Sequence, residues 1–262
     1  MSGHQFDFFY VLKLAVIAAL GGLLFGYDIS VISGAIPFIT NYFDLNEWWK
    51  GFVVSSIYIG CMVGASIAGH LSDRYGRKSM LLISAVLFGI SAIGSGMAKD
   101  LTVFFSYRLI GGLGVGMASL LSPMYIAEVS PAHIRGRFVS INQFAIVIGI
   151  LAAYFVNYLL VDMGAQNWRW MFMAEAIPSI GFLVAMFYVP ESPRWLVKKQ
   201  DTQRAKQILS RIGGPIFATA SLNEISESLS RETKHKPGIL LDRSLRPILL
   251  IGIVLAVFQQ WS

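Results

Sequence analysis

The sequence is short of cysteine, of charge and of histidine, and each shortage closes off a class of protein. A single cysteine, Cys61, excludes an intramolecular disulfide framework and a cysteine-rich zinc site. It reads as a small apolar residue of a helix. Asp, Glu, Lys and Arg make up 14% of the chain, where a soluble domain carries roughly 25%. A chain so poor in charge cannot cover a water-facing surface, and with 55% hydrophobic residues its natural solvent is lipid. The four histidines, His4, His70, His133 and His235, are scattered through polar segments, so no metal site is expected. No phosphate-binding G-x-x-x-x-G-K-[ST] occurs and no nucleophile stands beside a buried acid, which argues against an enzyme and against any cofactor. A cleavable signal peptide is not expected either. The first apolar run is longer than the roughly 7–15 residues of a signal core, and no small-residue cleavage site follows it.

What the chain has is long apolar runs. Crossing a bilayer takes roughly 20 apolar residues in a helix, and six segments reach that length, near 10–40, 50–71, 79–98, 102–128, 138–161 and 169–189. A seventh run begins near Pro247 and reaches Ser262. The basic residues sort between alternate loops. Seventeen of the 21 lysines and arginines fall at the amino terminus, at 74–78, at 135–137 and at 194–246, three fall on the opposite side, and Arg108 lies within a span. The positive-inside rule then places the amino terminus and 191–246 in the cytoplasm. A basic nucleic-acid-binding face would not be divided in this way, so the net charge of +6 implies no nucleic acid. The expected organisation is a six-helix transmembrane bundle over 1–190, a cytoplasmic helical linker over 191–246 with helical patches at 202–212 and 221–229, and the truncated start of a seventh helix over 247–262. Glycines crowd the second and fourth spans (Gly60, Gly64, Gly69, Gly111, Gly112, Gly114, Gly116), where small residues let helix backbones approach closely in lipid.

Asp28 in the first span and Arg108 in the fourth are the ionisable residues that stand out. Each costs at least about 2.5–3.5 kcal/mol at the bilayer centre, so such residues normally face a bundle interior and pair. Asp28 lies some ten residues before the outer end of its span and Arg108 about seven after the outer start of its own, so their depths agree. An acid beside a fixed positive charge is a proton switch: pairing favours its charged form, and loss of the pair in a dry site favours the neutral one. A purely structural ion pair is the other reading. Glu175 in the sixth span is either a further partner or an anchor. Asn142, Gln143, Asn157, Gln259 and Gln260 supply amides, which suit a neutral polyhydroxyl ligand and serve equally as interhelical hydrogen bonds.

The loop motifs are more specific. Gly69-His70-Leu71-Ser72-Asp73-Arg74-Tyr75-Gly76-Arg77-Lys78, between spans two and three, resembles the signature loop of the major facilitator superfamily, G-x-x-x-D-R-x-G-R-[RK]. Gly69 there suits close packing at a helix end, and Asp73 and Arg77 suit capping or ion pairing. Ile110-x-Gly112-Leu113-x-x-Gly116 followed by Tyr125, Glu128 and Arg135, then Arg135-Gly136-Arg137, Pro190-Glu191-Ser192-Pro193-Arg194-Trp195 and Gln259-Gln260, resemble hallmarks of the sugar porter family. The matches run from Phe25-Gly26-Tyr27-Asp28 to Gln260.

That resemblance implies an all-α membrane protein: one half of a major facilitator fold, six transmembrane helices as a 3+3 inverted repeat, plus cytoplasmic helices and the start of a seventh span. It implies secondary active transport of a monosaccharide, pentose or hexose, as proton-coupled symport by alternating access. Asp28 and Arg108 match the proton-coupling pair. Phe25, Gln143, Gln259 and Gln260 match sugar contacts. Asp73, Arg77, Glu128, Arg135, Arg137, Glu191 and Arg194 match a cytoplasmic salt-bridge cluster that latches two halves together in the outward-open state. Partners are then the sugar, protons, the bilayer of a bacterial inner membrane and a missing carboxy-terminal six-helix half, without which this chain is expected to be inactive. Ile150 departs from the pattern of those sugar porters that carry a second helix-five glutamine there, which leaves the sugar open. A proton-independent facilitator and a transporter-like sugar sensor are the alternatives, and a seven-helix receptor fits poorly with the 69–78 signature.

Overall fold

The computed structural model describes residues 6–232, with Pro247, Leu250, Ile251, Gly252, Val254 and Phe258 beyond them. Five long helices and a broken sixth make up the bundle: α1 (Phe8–Phe43), α2 (Glu47–Tyr75), α3 (Arg77–Met97), α4 (Leu101–Val129), α5 (Arg135–Leu160), then α6 (Asn167–Met173) and α7 (Ala176–Phe187), which together form one span. All six spans are long and apolar enough to cross a membrane. The starts of α1, α2 and α4 are set by local chemistry. Asp7, Asn46 and Asp100 each accept a hydrogen bond at 2.9 Å from the backbone N–H three residues on, filling a donor the helix itself leaves open. Gly76, at φ +98°, closes α2 and opens α3 in a single residue.

Three of the expectations need correcting. The sixth span is not one helix: the chain turns at Ala174 and Glu175. The first span runs on to Phe43, so Asp28 stands fifteen residues from its end rather than ten. After the sixth span the expected patches at 202–212 and 221–229 belong to α9 (Thr202–Glu232), which follows the short α8 (Pro193–Lys198) and leaves helical geometry at Gly213 and Gly214. Gly214 at φ +79°, with Pro215 next, accounts for that break. Most of the seventh span, the rest of the linker and Gln259 and Gln260 lie outside the described residues.

Packing follows the glycines. α2 lies on α4 so closely that a Cβ added to Gly112 would stand 2.8 Å from Gly60 Cα, and one added to Gly64 would stand 2.9 Å from Leu113 Cα. α1 meets α5 in the same way, a Cβ on Gly149 coming 3.0 Å from Tyr27 N. Gly69 does not play this part. Its nearest neighbour would be Leu120 Cδ2 at 4.0 Å, so the signature glycine sits in ordinary space.

Buried apolar side chains form two clusters. α1 gives Leu24 to one and Val31 to the other; α4 gives Val115 and Phe104; the sixth span gives Phe182 and Phe172. Asp28, Arg108 and Glu175 occupy the interval on each of these elements, so the three charged residues share the layer where the clusters meet. Outside, Phe144, Leu151, Phe155 and Tyr158 on α5, Met62 on α2 and Ile180 on α7 are exposed. In water this surface would be an aggregation liability; in lipid or against another helical bundle it is a matched face.

Candidate functional site

The centre of the site is a buried ion pair. Arg108 donates through Nη1 to Asp28 Oδ1 and through Nη2, at 3.3 Å, to the Asp28 carbonyl. Both side chains are 1% exposed or less. The guanidinium lies 5.3 Å from the centre of the Phe172 ring, within cation–π range. Glu175, at the break in the sixth span, is fully buried and close enough to interact electrostatically with both Asp28 and Arg108. Asp28 Oδ2, Arg108 Nε and Glu175 Oε1 have no hydrogen-bond partner among the described residues. One cation thus stands among two acids in a place where an uncompensated charge is costly, which suits a proton that comes and goes. Ser91 and Asp28 Oδ2 both flank Gly111, whose missing side chain leaves room for them on α4.

The amides divide. Asn157 donates to the Val31 carbonyl at 3.2 Å, tying α5 to α1. Asn142 is buried where α5 meets Gly22. Beside that contact Phe25 is half-buried and Gln143 is exposed, within about a turn of each other along two adjacent helices. They remain accessible to a ligand.

At the end of the bundle where α2 passes into α3, a second polar cluster forms around Arg77. Its guanidinium takes Glu128 at 3.1 Å, Asp73 at 2.9 Å and the Ser72 carbonyl at 3.1 Å. The side chain is 7% exposed and that of Glu128 10%, so this is a desolvated pair. Ser192 donates to Glu128. Lys198 and the Trp195 indole bind Asp73, at 2.9 and 3.1 Å. Tyr125 Oη donates to the Pro190 carbonyl at 2.8 Å. Glu191 bonds to backbone groups. Its carboxylate accepts from the backbone N–H groups of Arg77 (3.0 Å), Lys78 (3.1 Å) and Ser192 (2.8 Å), an acid at the positive end of α3. Burial pushes its carboxyl up, opposed by those N–H donors and by the Arg77 charge. Arg135 and Arg137 lie at the start of α5. Both are exposed and neither has an ion-pair partner among the described residues, although Arg135 and Arg194 line one cleft with Glu128 and Glu224.

This cluster supplies a stability prediction. Arg77→Ala strands Glu128 in a desolvated position and is expected to cost about 3–5 kcal/mol. Arg77→Lys recovers only part of it, since an ammonium cannot fork to Asp73 and Glu128 together. Thermal denaturation of the purified full-length protein in detergent measures both. Equal midpoints for Arg77→Ala and wild type would rule out a structural contribution.

The profile of the family described as "Sugar (and other) transporter" matches residues 14–262. The chain belongs to this sugar transporter family. It is 42% identical to the D-xylose-proton symporter of Escherichia coli (strain K12), an alignment covering 98% of this chain and 58% of that protein. It is 44% identical to the arabinose-proton symporter of Bacillus subtilis (strain 168), over 96% of this chain and 55% of that protein. Among solved structures, the proton:xylose symporter bound to 6-bromo-6-deoxy-D-glucose superposes with a TM-score of 0.85 at 42% identity, covering 88% of this chain and 56% of the other. A partially occluded inward-open form of the E. coli xylose transporter gives 0.86 at 41% identity, covering 96% of this chain and 63% of the other. The chain thus spans a little over half the length of these curated relatives, and its fold matches one six-helix half of theirs.

Sequence reasoning about this transporter chain missed Tyr27, Phe172, Ser192 and Lys198. Ser192 and Lys198 sit in or beside a recognised motif, and their roles were within reach. Tyr27 and Phe172 carried no signal, since an aromatic residue in an apolar span is ordinarily packing.

Proposed function

We propose that the full-length protein is a proton-coupled monosaccharide symporter that works by alternating access, with this chain as its amino-terminal half. The observation that carries the reading is the buried Asp28–Arg108 pair with Glu175 beside it, between two apolar clusters. Relatives over 40% identical are named xylose- and arabinose-proton symporters, which supports the same coupling here. In this reading Asp28 carries the proton and Arg108 reports its charge state. Phe25 and Gln143, with Gln259 and Gln260, contribute to a sugar site between this half and a second six-helix half, and the short span of the match relative to the relatives supports that partner. The Asp73–Arg77–Glu128 cluster, with Arg135, Arg137, Glu191 and Arg194 around it, biases the cytoplasmic face between two arrangements. The amino terminus and 191–246 face the cytoplasm of a bacterial inner membrane, as the distribution of basic residues supports.

The experiment is uptake by the full-length protein in proteoliposomes under an inward proton gradient, with D-xylose, L-arabinose and D-glucose as substrates. One pH unit is about 1.4 kcal/mol, so one proton per sugar drives up to about tenfold accumulation. Accumulation that a protonophore abolishes is the expected result. Filling only to equilibrium would make the protein a facilitator, and binding without filling would make it a sensor.

A further inference from the structure

The sixth span breaks beside the ion pair, four residues before Pro178, and one hydroxyl meets a carbonyl that the break releases. The Glu175 N–H bonds to the Phe172 carbonyl three residues back, at 3.1 Å, not to the Met171 carbonyl four back as an unbroken helix would require. The Met171 carbonyl is thereby released from the helix ladder. In a membrane interior an unmet carbonyl costs several kcal/mol, so a partner has to come from elsewhere. It comes from α1: Tyr27 Oη donates to the Met171 carbonyl at 3.1 Å, and the bond is buried.

Tyr27 precedes Asp28, and successive residues of a helix point about 100° apart. α1 therefore grips the sixth span with Tyr27 and α4 with Asp28. The carbonyl it holds belongs to the residue before Phe172, whose ring carries the Arg108 guanidinium, and lies four residues before Glu175. Behind Tyr27 there is no slack, because Gly149 of α5 packs against its backbone N–H. The charged groups at this depth are Asp28 on α1, Arg108 on α4 and Glu175 in the sixth span; α2, α3 and α5 carry their charged residues only near their ends, and α3 presents the Ser91 hydroxyl.

We propose that Tyr27 is a positioning residue for proton coupling: its hydroxyl fixes the break in the sixth span so that Phe172 and Glu175 stay against the Asp28–Arg108 pair. The inference rests on the symporter reading and extends it. Whatever the proton does to Asp28 is passed through the Tyr27–Met171 bond to the sixth span, and a shift of that span returns to Arg108 through Phe172.

The test uses Tyr27→Phe, which removes one oxygen and keeps the ring, and Phe172→Leu, which keeps the apolar volume and removes the π face. Proton-driven accumulation and sugar-for-sugar exchange are measured in parallel in proteoliposomes of the full-length protein, together with the thermal midpoint and the pH dependence of uptake. The ratio of accumulation to exchange is expected to fall about fivefold or more in each variant, the low end of typical coupling energies, and to fall no further in the double variant. The pH of half-maximal uptake moves in both. A ratio equal to wild type in both variants overturns the proposal. So does a parallel fall in accumulation, exchange and thermal midpoint, which is what a merely structural hydrogen bond gives. If the wild-type protein itself accumulates no sugar, the symporter reading fails and takes this one with it; a wild type that accumulates beside a Tyr27→Phe variant that does so equally well refutes only the role of Tyr27.

Discussion

Asp28→Asn in the full-length protein is expected to abolish accumulation of sugar against its gradient while sugar-for-sugar exchange continues. Asparagine keeps the shape of the side chain and can still accept from Arg108 Nη1, but it has no proton to release. Exchange needs only that the loaded carrier cross and return, whereas accumulation needs the return to be tied to proton release. Stability falls too, because Arg108 loses its adjacent anion in a site where both side chains are essentially inaccessible. Breaking a buried pair costs about 3–5 kcal/mol, and Glu175 nearby offsets part of it. Arg108→Leu leaves two acids with no cation and is expected to be the more damaging single change. Combining it with Asp28→Asn restores part of the loss, and a coupling of about 1 kcal/mol or more in the double-mutant cycle reports the pair directly. Counterflow and pH-driven uptake on one preparation separate the two functions. Undiminished accumulation by Asp28→Asn would end the proton role of this residue, whatever the thermal data show.

The second large effect is expected from a single methyl group. Gly112→Ala places a Cβ 2.8 Å from Gly60 Cα and 3.0 Å from Cys61 N. The atoms it meets are backbone, with no rotamer to turn aside, so α2 and α4 have to separate along their length. Overpacking of a core costs roughly 1–3 kcal/mol when side chains can give way, and here they cannot. Low yield of monodisperse protein and a depressed thermal midpoint are expected on size-exclusion chromatography and melting. Gly69→Ala is the control. Its new methyl would have only Leu120 within reach, at 4.0 Å, and a surface-like effect within about 0.5 kcal/mol is expected. If the two variants melt alike, the close approach of α2 and α4 is not what those glycines provide.

The contrast between Gly69 and Gly112 shows where reading the sequence stops. Both are glycines in apolar spans with small neighbours, and nothing local separates a helix seam from open space. Phe25 and Gln143 fall within about a turn of each other because α1 and α5 pack in parallel along Gly22, Gly26 and Gly149, a registration no motif states. Glu191 was expected in a salt-bridge cluster because its motif resembles one of the sugar porter family. The turn at Gly76 points the backbone N–H groups of α3 at it. The break in α9 was legible, since Gly213-Gly214-Pro215 is a recognisable interruption. The break at Glu175 carried a signal too. No glycine stands there, but Pro178 has no N–H for the Ala174 carbonyl four residues back and its ring crowds it, a breaker signal that the sequence reading passed over.

What the sequence determined by itself is the number of spans, the pairing of Asp28 with Arg108 and the family. Span number follows from hydropathy and loop charge, which are local and additive along the chain. The ion pair follows because two buried charges of opposite sign at matching depth have few other ways to be satisfied in lipid. The tertiary structure alone decided which neutral groups complete the site. Tyr27 and Met171 are 144 residues apart, and their bond exists because one helix breaks where another presents a hydroxyl. A hydrogen bond needs a distance near 3 Å and a direction, and neither can be had from sequence until the helices have been packed.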